Sequence, residues 1–464
     1  MVLVENSRGK RLHRCGVFQP QKLNTPNFFG WPGLAAESAT MNDTRIQIGT
    51  RQGWGQESTF GLRDEDARHH AYVLGKTGSG KTTLLRNMIL QHLHRGHGLA
   101  LLDPHGDLAD ELLDHFPTWR ARDLIYFNPA DIEFPVALNL LANVPRDSRH
   151  LVASGIVGAF KSIWRDSWGP RMEYILYNAL AALLDCPNAS LLGVNRMLTH
   201  GDYRSWVIRQ IKDPFVRSFW AVEFAAYDGR FVREAIAPIQ NKLGQFLMNP
   251  PIRNILGQVK TKIDFRFIMD TGRVFLANLS KGKLGGDKAN LLGSLLTTQF
   301  QLAAMSRAEL PEHDRRDFHL FIDEFHNFTT DSFAAILAEA RKYRLCLALS
   351  HQYLDQLTPE VRQAIFGNTG TLIAFRTGHT DAELLAKEFG GTFTASQFVD
   401  LDRYQIIVRL LDHGIASDPF AARTLPGLRS HHSNRYKLIQ CSRERFTSPR
   451  AIVENELTRS IEHG

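Results

Sequence analysis

The 464-residue sequence predicts an α/β fold, a parallel sheet with an all-helical insertion, on three observations. Short apolar runs recur on both sides of the chain's middle, as buried parallel strands do. The first run, residues 71–74, is followed by a helical pattern and a second run at 98–102, which together form a β-α-β unit. Between residues 145 and 258 the runs disappear and helical periodicity takes over.

The composition divides the chain into five predicted segments. Residues 1–62, rich in Gly, Pro, Asn and Gln, predict an irregular N-terminal arm with at most one strand. Residues 63–144 and 259–425 predict the two parts of one sheet domain, residues 145–258 its helical insertion, and residues 426–464 a basic C-terminal tail. Further strands are predicted from the apolar runs at 124–127, 274–277, 320–322, 345–349, 372–375 and 406–408.

The bulk composition excludes several classes of protein. With 43% hydrophobic and 22% charged residues, the chain is neither disordered nor collagen-like, and its four scattered cysteines include no CxxC pair. No apolar stretch reaches the ~18 residues that span a bilayer, and no apolar region of a signal peptide follows the basic N-terminus. A soluble, cytoplasmic protein is therefore expected.

The net charge is +7, and much of the excess is local. Residues 421–450 contain seven basic residues and one acidic residue. Such a segment indicates either a polyanionic partner or a solvated basic tail. Charge alone leaves both interpretations open.

A phosphate-binding motif is the strongest signal in the sequence. The pattern G-x-x-x-x-G-K-[ST] is matched in full after a predicted strand and at the start of a predicted helix. Its glycines let successive N–H groups point at a β-phosphate; Lys81 is expected on the β/γ-phosphates and Thr82 on Mg²⁺. The predicted nucleotide-binding residues are Gly75, Lys76, Thr77, Gly78, Ser79, Gly80, Lys81, Thr82 and Thr83. ATP and Mg²⁺ are the expected cofactors.

Two further predicted strands end in polar residues that suit ATP hydrolysis. After residues 318–322, Asp323 is expected to bind Mg²⁺ and Glu324 to orient the attacking water. Gln352 is expected to sense the γ-phosphate, with a plain polar turn as the alternative. Asp103, at the end of the second strand, fits either a functional role or a polar turn.

The type of motor follows from what the chain lacks. Residues 323–326 spell a DExH box, but too few residues follow them for the second RecA-like lobe of a helicase. An ABC-type signature is matched only in part. One RecA-like lobe needs a transition-state cation from a neighbouring subunit, which predicts a ring. Arg341, near the end of a predicted helix at 331–344, and Arg376 are the candidate catalytic cations, although either fits a salt bridge as well.

A glycine- and lysine-rich segment follows the predicted strand at 274–277. Its Lys281, Lys283 and Lys288 suit a mobile loop that tracks DNA phosphates. A plain surface loop is the alternative.

The ordered motifs resemble those of the HerA/FtsK superfamily, most of all its type IV secretion or conjugative coupling-protein branch. They lie at residues 75–83, 102–107, 321–325, 340–343 and 349–352. The resemblance implies a hexameric, ATP-hydrolysing ring motor that translocates DNA, with an all-α domain inserted in its nucleotide-binding domain. It also implies a cytoplasmic location, or a peripheral one at the inner membrane through a partner. Two alternatives stay open: a secretion or pilus-assembly ATPase acting on protein, and a HerA-like ATPase of an anti-phage defence complex with an effector partner.

Overall fold

A sheet of eleven strands is the centre of the fold in the computed structural model, which describes residues 45–53, 56–331, 333–427 and 434–462. Its strands are β1 (Ile46–Gly53), β2 (Gln56–Leu62), β3 (Ala71–Leu74), β4 (Gly98–Asp103), β5 (Leu124–Phe127), β6 (Val274–Asn278), β7 (Phe318–Ile322), β8 (Leu345–His351), β9 (Thr371–Ala374), β10 (Gln405–Arg409) and β13 (Phe420–Thr424). Two short strands, β11 (Leu411–Asp412) and β12 (Ile415–Ala416), pair separately.

The strand order is β2-β1-β13-β10-β9-β3-β8-β7-β4-β6-β5. The seven strands from β9 to β5 are parallel, and the four at the other end pair antiparallel. Strand β8 lies between β3 and β7, so the carboxyl ends of these three strands meet at one edge. The predicted α/β fold with a parallel sheet is confirmed.

Helices cover both faces of the sheet. Before β6 they are α1 (Asp64–Ala67), α2 (Lys81–His94), α3 (Asp107–Asp114), α4 (Arg149–Ile163), α5 (Pro170–Leu183), α6 (Leu192–Thr199), α7 (Gly201–Gln210), α8 (Pro214–Ser218), α9 (Gly229–Leu247), α10 (Pro250–Leu256) and α11 (Phe265–Thr271). After β6 they are α12 (Lys281–Leu284), α13 (Gly286–Ser306), α14 (Phe333–Glu339), α15 (Pro359–Asn368), α16 (His379–Glu388), α17 (Ala395–Val399), α18 (Arg435–Phe446) and α19 (Arg450–Glu462). Within the described ranges, no helix is both long and apolar enough to cross a membrane.

The segment between β5 and β6, described throughout, contains helices and turns but no strand. Apolar residues of its helices, such as Phe160, Leu180 and Ile239, belong to one buried cluster with Phe275 and Leu320 of the sheet. Helix α4 packs against α13, which itself lies on the sheet. The other face of the sheet is covered by α2 and α3 through a second apolar cluster. The helical segment therefore shares its core with one face of the sheet.

The prediction of an irregular N-terminal arm was wrong for residues 46–53 and 56–62. They form an antiparallel hairpin, β1 and β2, that joins the main sheet through β13. Ile46, Ile48 and Phe60 are buried by this pairing. A Cβ at Gly49 would lie 2.2 Å from the carbonyl oxygen of Arg423, so this glycine permits close strand pairing rather than a loop. Residues 1–44 lie outside the described residues.

The predicted basic tail is also wrong for residues 434–462, which fold into α18 and α19. Leu438 and Val453 are buried, so both helices pack against the body of the protein. The backbone N–H of Tyr126 donates to Ser442 Oγ at 2.8 Å. Because β5 is an edge strand, α18 covers backbone groups that would otherwise be open to pairing.

Ion pairs neutralise much of the charge in this basic segment. Arg435 Nε donates to Asp114 at 3.1 Å, and Arg443 Nε donates to Asp131 at 2.8 Å. Arg450 lies 3.6 Å from Glu133. These three pairs reduce the positive charge that the segment presents, and the acids that form them are distant in sequence. Arg429 lies outside the described residues.

Candidate active site

The turn between β3 and α2 contains most of the predicted nucleotide-binding residues, 75–83. We call it the nucleotide turn. Gly80 has φ 122°, and a Cβ there would lie 2.7 Å from the Tyr404 ring, so only glycine fits. Ser79 Oγ is buried without a hydrogen-bond partner. The backbone N–H of Tyr404 donates to the carbonyl oxygen of Ser79 at 2.9 Å, which fixes the turn from outside. The turn leads directly into the N-terminus of a 14-residue helix.

Lys81 is folded over this turn and is largely buried. Its Nζ donates to the carbonyl oxygens of Gly75 and, at 3.3 Å, of Lys76. Burial lowers the pKa of Lys81, while the negative charges of Glu324 and Asp323 oppose that shift. The ammonium group therefore lies near both predicted acids.

Asp323 and Ser350 meet across neighbouring strands. Asp323 directly follows β7 and accepts hydrogen bonds from Ser350 Oγ on β8 and, at 3.0 Å, from the Glu324 N–H. Both contacts use Oδ1 and orient the carboxylate. The Asp323 carboxylate and the Thr82 hydroxyl are hard oxygen donors of the kind that suits Mg²⁺.

Glu324 occupies an unusual backbone conformation. Its φ of 46° and ψ of 48° are left-handed, which is rare for a residue other than glycine and marks functional turns. Gln352 Nε2 donates to Glu324 Oε1 at 2.9 Å. Burial raises the pKa of Glu324, while the Gln352 hydrogen bond and the Lys81 charge oppose this shift. The structure thus brings Lys81, at the start of α2, together with Asp323, Glu324 and Gln352, which follow β7 and β8.

His326 is a site residue that the sequence reasoning missed. Its Nδ1 lies 3.5 Å from Glu324 Oε2, and Gln356 Nε2 donates to its other nitrogen at 3.2 Å. This partner leaves the ring proton on Nδ1, towards Glu324. Burial lowers the pKa of His326 to about 4, so the ring is neutral near pH 7. The DExH motif at residues 323–326 includes this histidine, although the motif was used above only to consider a helicase.

Lys281 belongs to the same network rather than to a mobile loop. Its Nζ donates to Asn327 Oδ1 at 2.6 Å, and Asn327 Nδ2 donates to the Glu324 carbonyl oxygen at 2.8 Å. The segment predicted as a loop is helical, because buried Leu284 anchors α12 and α13 begins directly after it. Lys283 is exposed on α12, and Lys288 lies in the first turn of α13. Their DNA role stays a prediction.

Asp103 has a structural contact of its own. Its Oδ1 accepts from the His105 N–H and its Oδ2 from the Ala109 N–H, each at 2.9 Å. These bonds fix the start of α3 beside the site. Burial raises the pKa of this carboxyl group, and the backbone hydrogen bonds oppose the shift.

The two candidate arginines lie at opposite ends of the parallel strands, Arg341 at the amino ends and Arg376 at a carboxyl end. Helix α14 ends at Glu339, earlier than predicted, and Arg341 follows in a 3-10 turn before β8. Its Nη1 lies 3.3 Å from His69 Nδ1, at the amino ends of β3 and β8, so Arg341 is far from its own nucleotide turn. Arg376 is exposed after β9, and its carbonyl oxygen accepts from the Lys76 N–H at 2.8 Å.

An open cleft of about 500 Å³ adjoins the nucleotide turn. It is lined by Lys76, Thr77, Gln352, Tyr353, Asp355 and Gly378, among others. The cleft reaches from the turn to the carboxyl ends of β8 and β9. Gln352 therefore lines the same cleft as Lys76 and Thr77 of the turn.

Two family models match the chain. Residues 46–153 match the model described as the central domain of helicase HerA, and residues 317–399 match the TraM recognition site of TraD and TraG. The first match contains the nucleotide turn, and the second contains Asp323, Glu324 and Gln352. The resemblance to the HerA/FtsK superfamily and its coupling-protein branch is confirmed. The comparison with curated proteins gave no match.

Solved structures share the fold at low sequence identity. The unbound bacterial conjugative coupling protein TrwBdeltaN70 is 16% identical with a TM-score of 0.58, covering 85% of this chain and 91% of that one. Plasmid coupling protein TrwB in complex with ADP and Mg²⁺ is 16% identical with a TM-score of 0.57, covering 80% and 89%. VirB4 of Thermoanaerobacter pseudethanolicus is 14% identical with a TM-score of 0.55, covering 83% and 97%. The RecA-like P-loop fold is therefore shared with these proteins.

Proposed function

We propose that this chain is an ATPase that binds ATP with Mg²⁺ at residues 75–83 and hydrolyses it with Glu324. The observation that carries the proposal is the hydrogen bond from Gln352 to Glu324, a carboxyl group whose pKa is raised by burial, a shift that the positive charge of Lys81 also opposes. A nucleotide site with an oriented, partly desolvated carboxylate suits activation of water. The TrwB complex with ADP and Mg²⁺ supports the choice of ligand.

Each side chain has a defined task in this proposal. Lys81 neutralises charge on the β- and γ-phosphates, and Mg²⁺ held by Thr82 and Asp323 would supply further charge neutralisation when bound. Glu324 orients the attacking water and accepts its proton. Gln352 holds one oxygen of that carboxylate by a hydrogen bond, and the His326 ring lies 3.5 Å from the other, so the carboxylate is oriented before the nucleotide arrives.

The acidic limb of the pH–rate profile should respond to Gln352. A hydrogen bond donated to an ionised carboxylate favours the charged form, so its loss raises the pKa of Glu324 further. We expect Gln352→Ala to shift the acidic limb of kcat to higher pH. Rates measured across pH for this variant and for Gln363→Ala, an exposed change on α15, test it. An unshifted limb in Gln352→Ala would mean that another group titrates.

The ATPase is proposed to act as a hexameric ring, with an arginine completing the neighbour's site. Arg341 cannot serve its own nucleotide turn because it lies at the opposite edge of the sheet. Arg341→Ala subunits and Lys81→Ala subunits, each inactive alone, should regain activity when mixed, because some junctions then pair an intact Lys81 with an intact Arg341. A supplied arginine is worth ~10³-fold or more in rate, so the recovery is measurable.

The same mixture made with Arg376→Ala subunits tests the rival cation. Recovery only with Arg376→Ala would transfer the role to Arg376. Mixed rings that assemble and stay inactive in both experiments would contradict a cation supplied in trans.

The proposed substrate of the motor is DNA, contacted by lysines after β6. Lys283 is exposed and lies close in sequence to Lys281, which is linked to the Glu324 loop through Asn327. We expect Lys283→Ala to reduce the slope of log K against log salt by roughly one unit for a lost phosphate contact. Binding isotherms at several salt concentrations, with the exposed Lys342→Ala as control, measure this. An unchanged slope would move the DNA path elsewhere.

A type IV secretion ATPase acting on protein is the second candidate. The ion pairs of Arg435, Arg443 and Arg450 favour it, because they reduce the positive charge available to a polyanion. ATP turnover with and without DNA discriminates the two functions, with Glu324→Gln as the inactive reference. Strong stimulation by DNA supports the DNA motor, whereas DNA-independent turnover supports the protein-directed one.

A further inference from the structure

Three histidines meet near the amino ends of the parallel strands, whereas the nucleotide turn lies at the carboxyl ends. His92 lies near the end of α2, His97 in the turn before β4, and His319 on β7. One ring nitrogen of each lies within 4.8 Å of the others. His92 and His319 are buried, while His97 is partly exposed. Nothing in the proposed ATPase mechanism uses this cluster.

The spacing of the rings is compatible with a shared cation. Zinc binds imidazole nitrogens at ~2.0–2.1 Å, which puts two tetrahedral ligands roughly 3.3 Å apart. His92 Nδ1 and His97 Nδ1 are 2.9 Å apart, and the ring of His319 lies 3.9 Å from that of His92 between centroids. Rotation of the rings would bring the three nitrogens, which lie within 4.8 Å of one another, to the separation that one ion needs. The proton now shared by the two Nδ1 atoms would move to a distal ring nitrogen, so both ligands remain neutral.

An acidic side chain lies behind the exposed member of the cluster. Asp64 Oδ2 is 3.8 Å from His97 Nε2, on the side of the ring away from His92. The other oxygen of Asp64 is buried and has no hydrogen-bond partner. A carboxylate behind a ligating histidine is the common arrangement that orients the ring and raises its basicity. Entry from solvent is available past Asp64 and His97, the two partly exposed members.

We propose that His92, His97 and His319 bind one divalent transition-metal cation, for which Zn²⁺ fits best, and that Asp64 orients His97. Imidazole-rich sites of this type prefer such ions over Mg²⁺, which requires oxygen ligands. The ion would join the end of α2 to the start of β7. Helix α2 begins at the nucleotide turn and Asp323 directly follows β7, so the site would tie together the two elements that carry the chemistry.

Zinc binding to the tag-free, nucleotide-free full chain tests the proposal. The protein is stripped with a chelator, given Zn²⁺ in the presence of excess Mg²⁺ to saturate carboxylate sites, and desalted. We expect one zinc per chain by elemental analysis and a rise in Tm of a few degrees with Zn²⁺ alone. Cobalt in place of zinc should give the visible absorption of a tetrahedral site.

Variants locate the ion. His319→Phe keeps a ring in the stack, and His97→Asn changes a partly exposed residue, so at least one of them should fold; each should lose the zinc and the Tm rise. Asp64→Asn should weaken zinc binding by about 10- to 100-fold. His94→Asn, on the same helix but outside the cluster, should bind zinc as wild type does. A wild-type chain without zinc, or a folded His97→Asn chain that keeps it, would show that the rings only stack.

Discussion

Lys81→Ala is expected to abolish ATP hydrolysis and to weaken nucleotide binding by about 10- to 100-fold. This change in nucleotide affinity corresponds to the ~1.5–3 kcal/mol of a hydrogen bond to a charged group. Because Lys81 is already folded over the nucleotide turn, its ammonium group needs little movement to reach the phosphates. The expected loss in kcat is at least ~10²–10³-fold, as for removal of a group that stabilises transition-state charge.

Titration with a fluorescent ATP analogue and steady-state turnover measure both effects. Lys387→Ala on α16, an exposed lysine away from the turn, is the matched control and should behave as wild type. Unchanged nucleotide affinity in Lys81→Ala would contradict the assignment of residues 75–83 as the phosphate site.

Glu324→Gln should leave ATP binding intact and stall hydrolysis. Glutamine has nearly the same shape and can keep a hydrogen bond with Gln352, but it cannot accept a proton from water. General-base catalysis contributes ~10²–10⁴-fold, so kcat should fall by that factor while the affinity for ATP is retained. The variant should therefore accumulate in the ATP-loaded state.

Single-turnover hydrolysis, measured beside equilibrium binding, separates these quantities. The control is Glu383→Gln, an exposed substitution on α16. If Glu324→Gln turned over ATP at a near-normal rate, another group would have to activate the water, and His326 would be the first to examine.

The convergence of Lys81, Asp323, Glu324 and Gln352 could be predicted because it depends on a general property of parallel sheets. Residues at the carboxyl ends of neighbouring parallel strands share one edge, whatever the intervening chain does. The sequence supplies the strand ends directly. The order β3-β8-β7 then places Gln352 between the turn and the acids.

Other contacts could not be predicted because they join residues that only the tertiary structure brings together. The hairpin of β1 and β2 was missed since Gly49 signals a loop locally, although here it allows close approach to β13. Arg435 and Arg443 were counted toward a basic tail because their acidic partners, Asp114 and Asp131, lie more than 300 residues earlier in the sequence. Lys281 looked like a loop lysine because its partner Asn327 follows a different strand.

We propose that ATP hydrolysis at Glu324 drives movement along DNA. Displacement of a third strand from triplex-containing DNA by the assembled full chain measures that movement directly. We expect displacement with ATP and Mg²⁺ by the wild-type chain, and none by Glu324→Gln at equal DNA occupancy. Robust ATP turnover by the wild-type chain on DNA that leaves the triplex intact would contradict it.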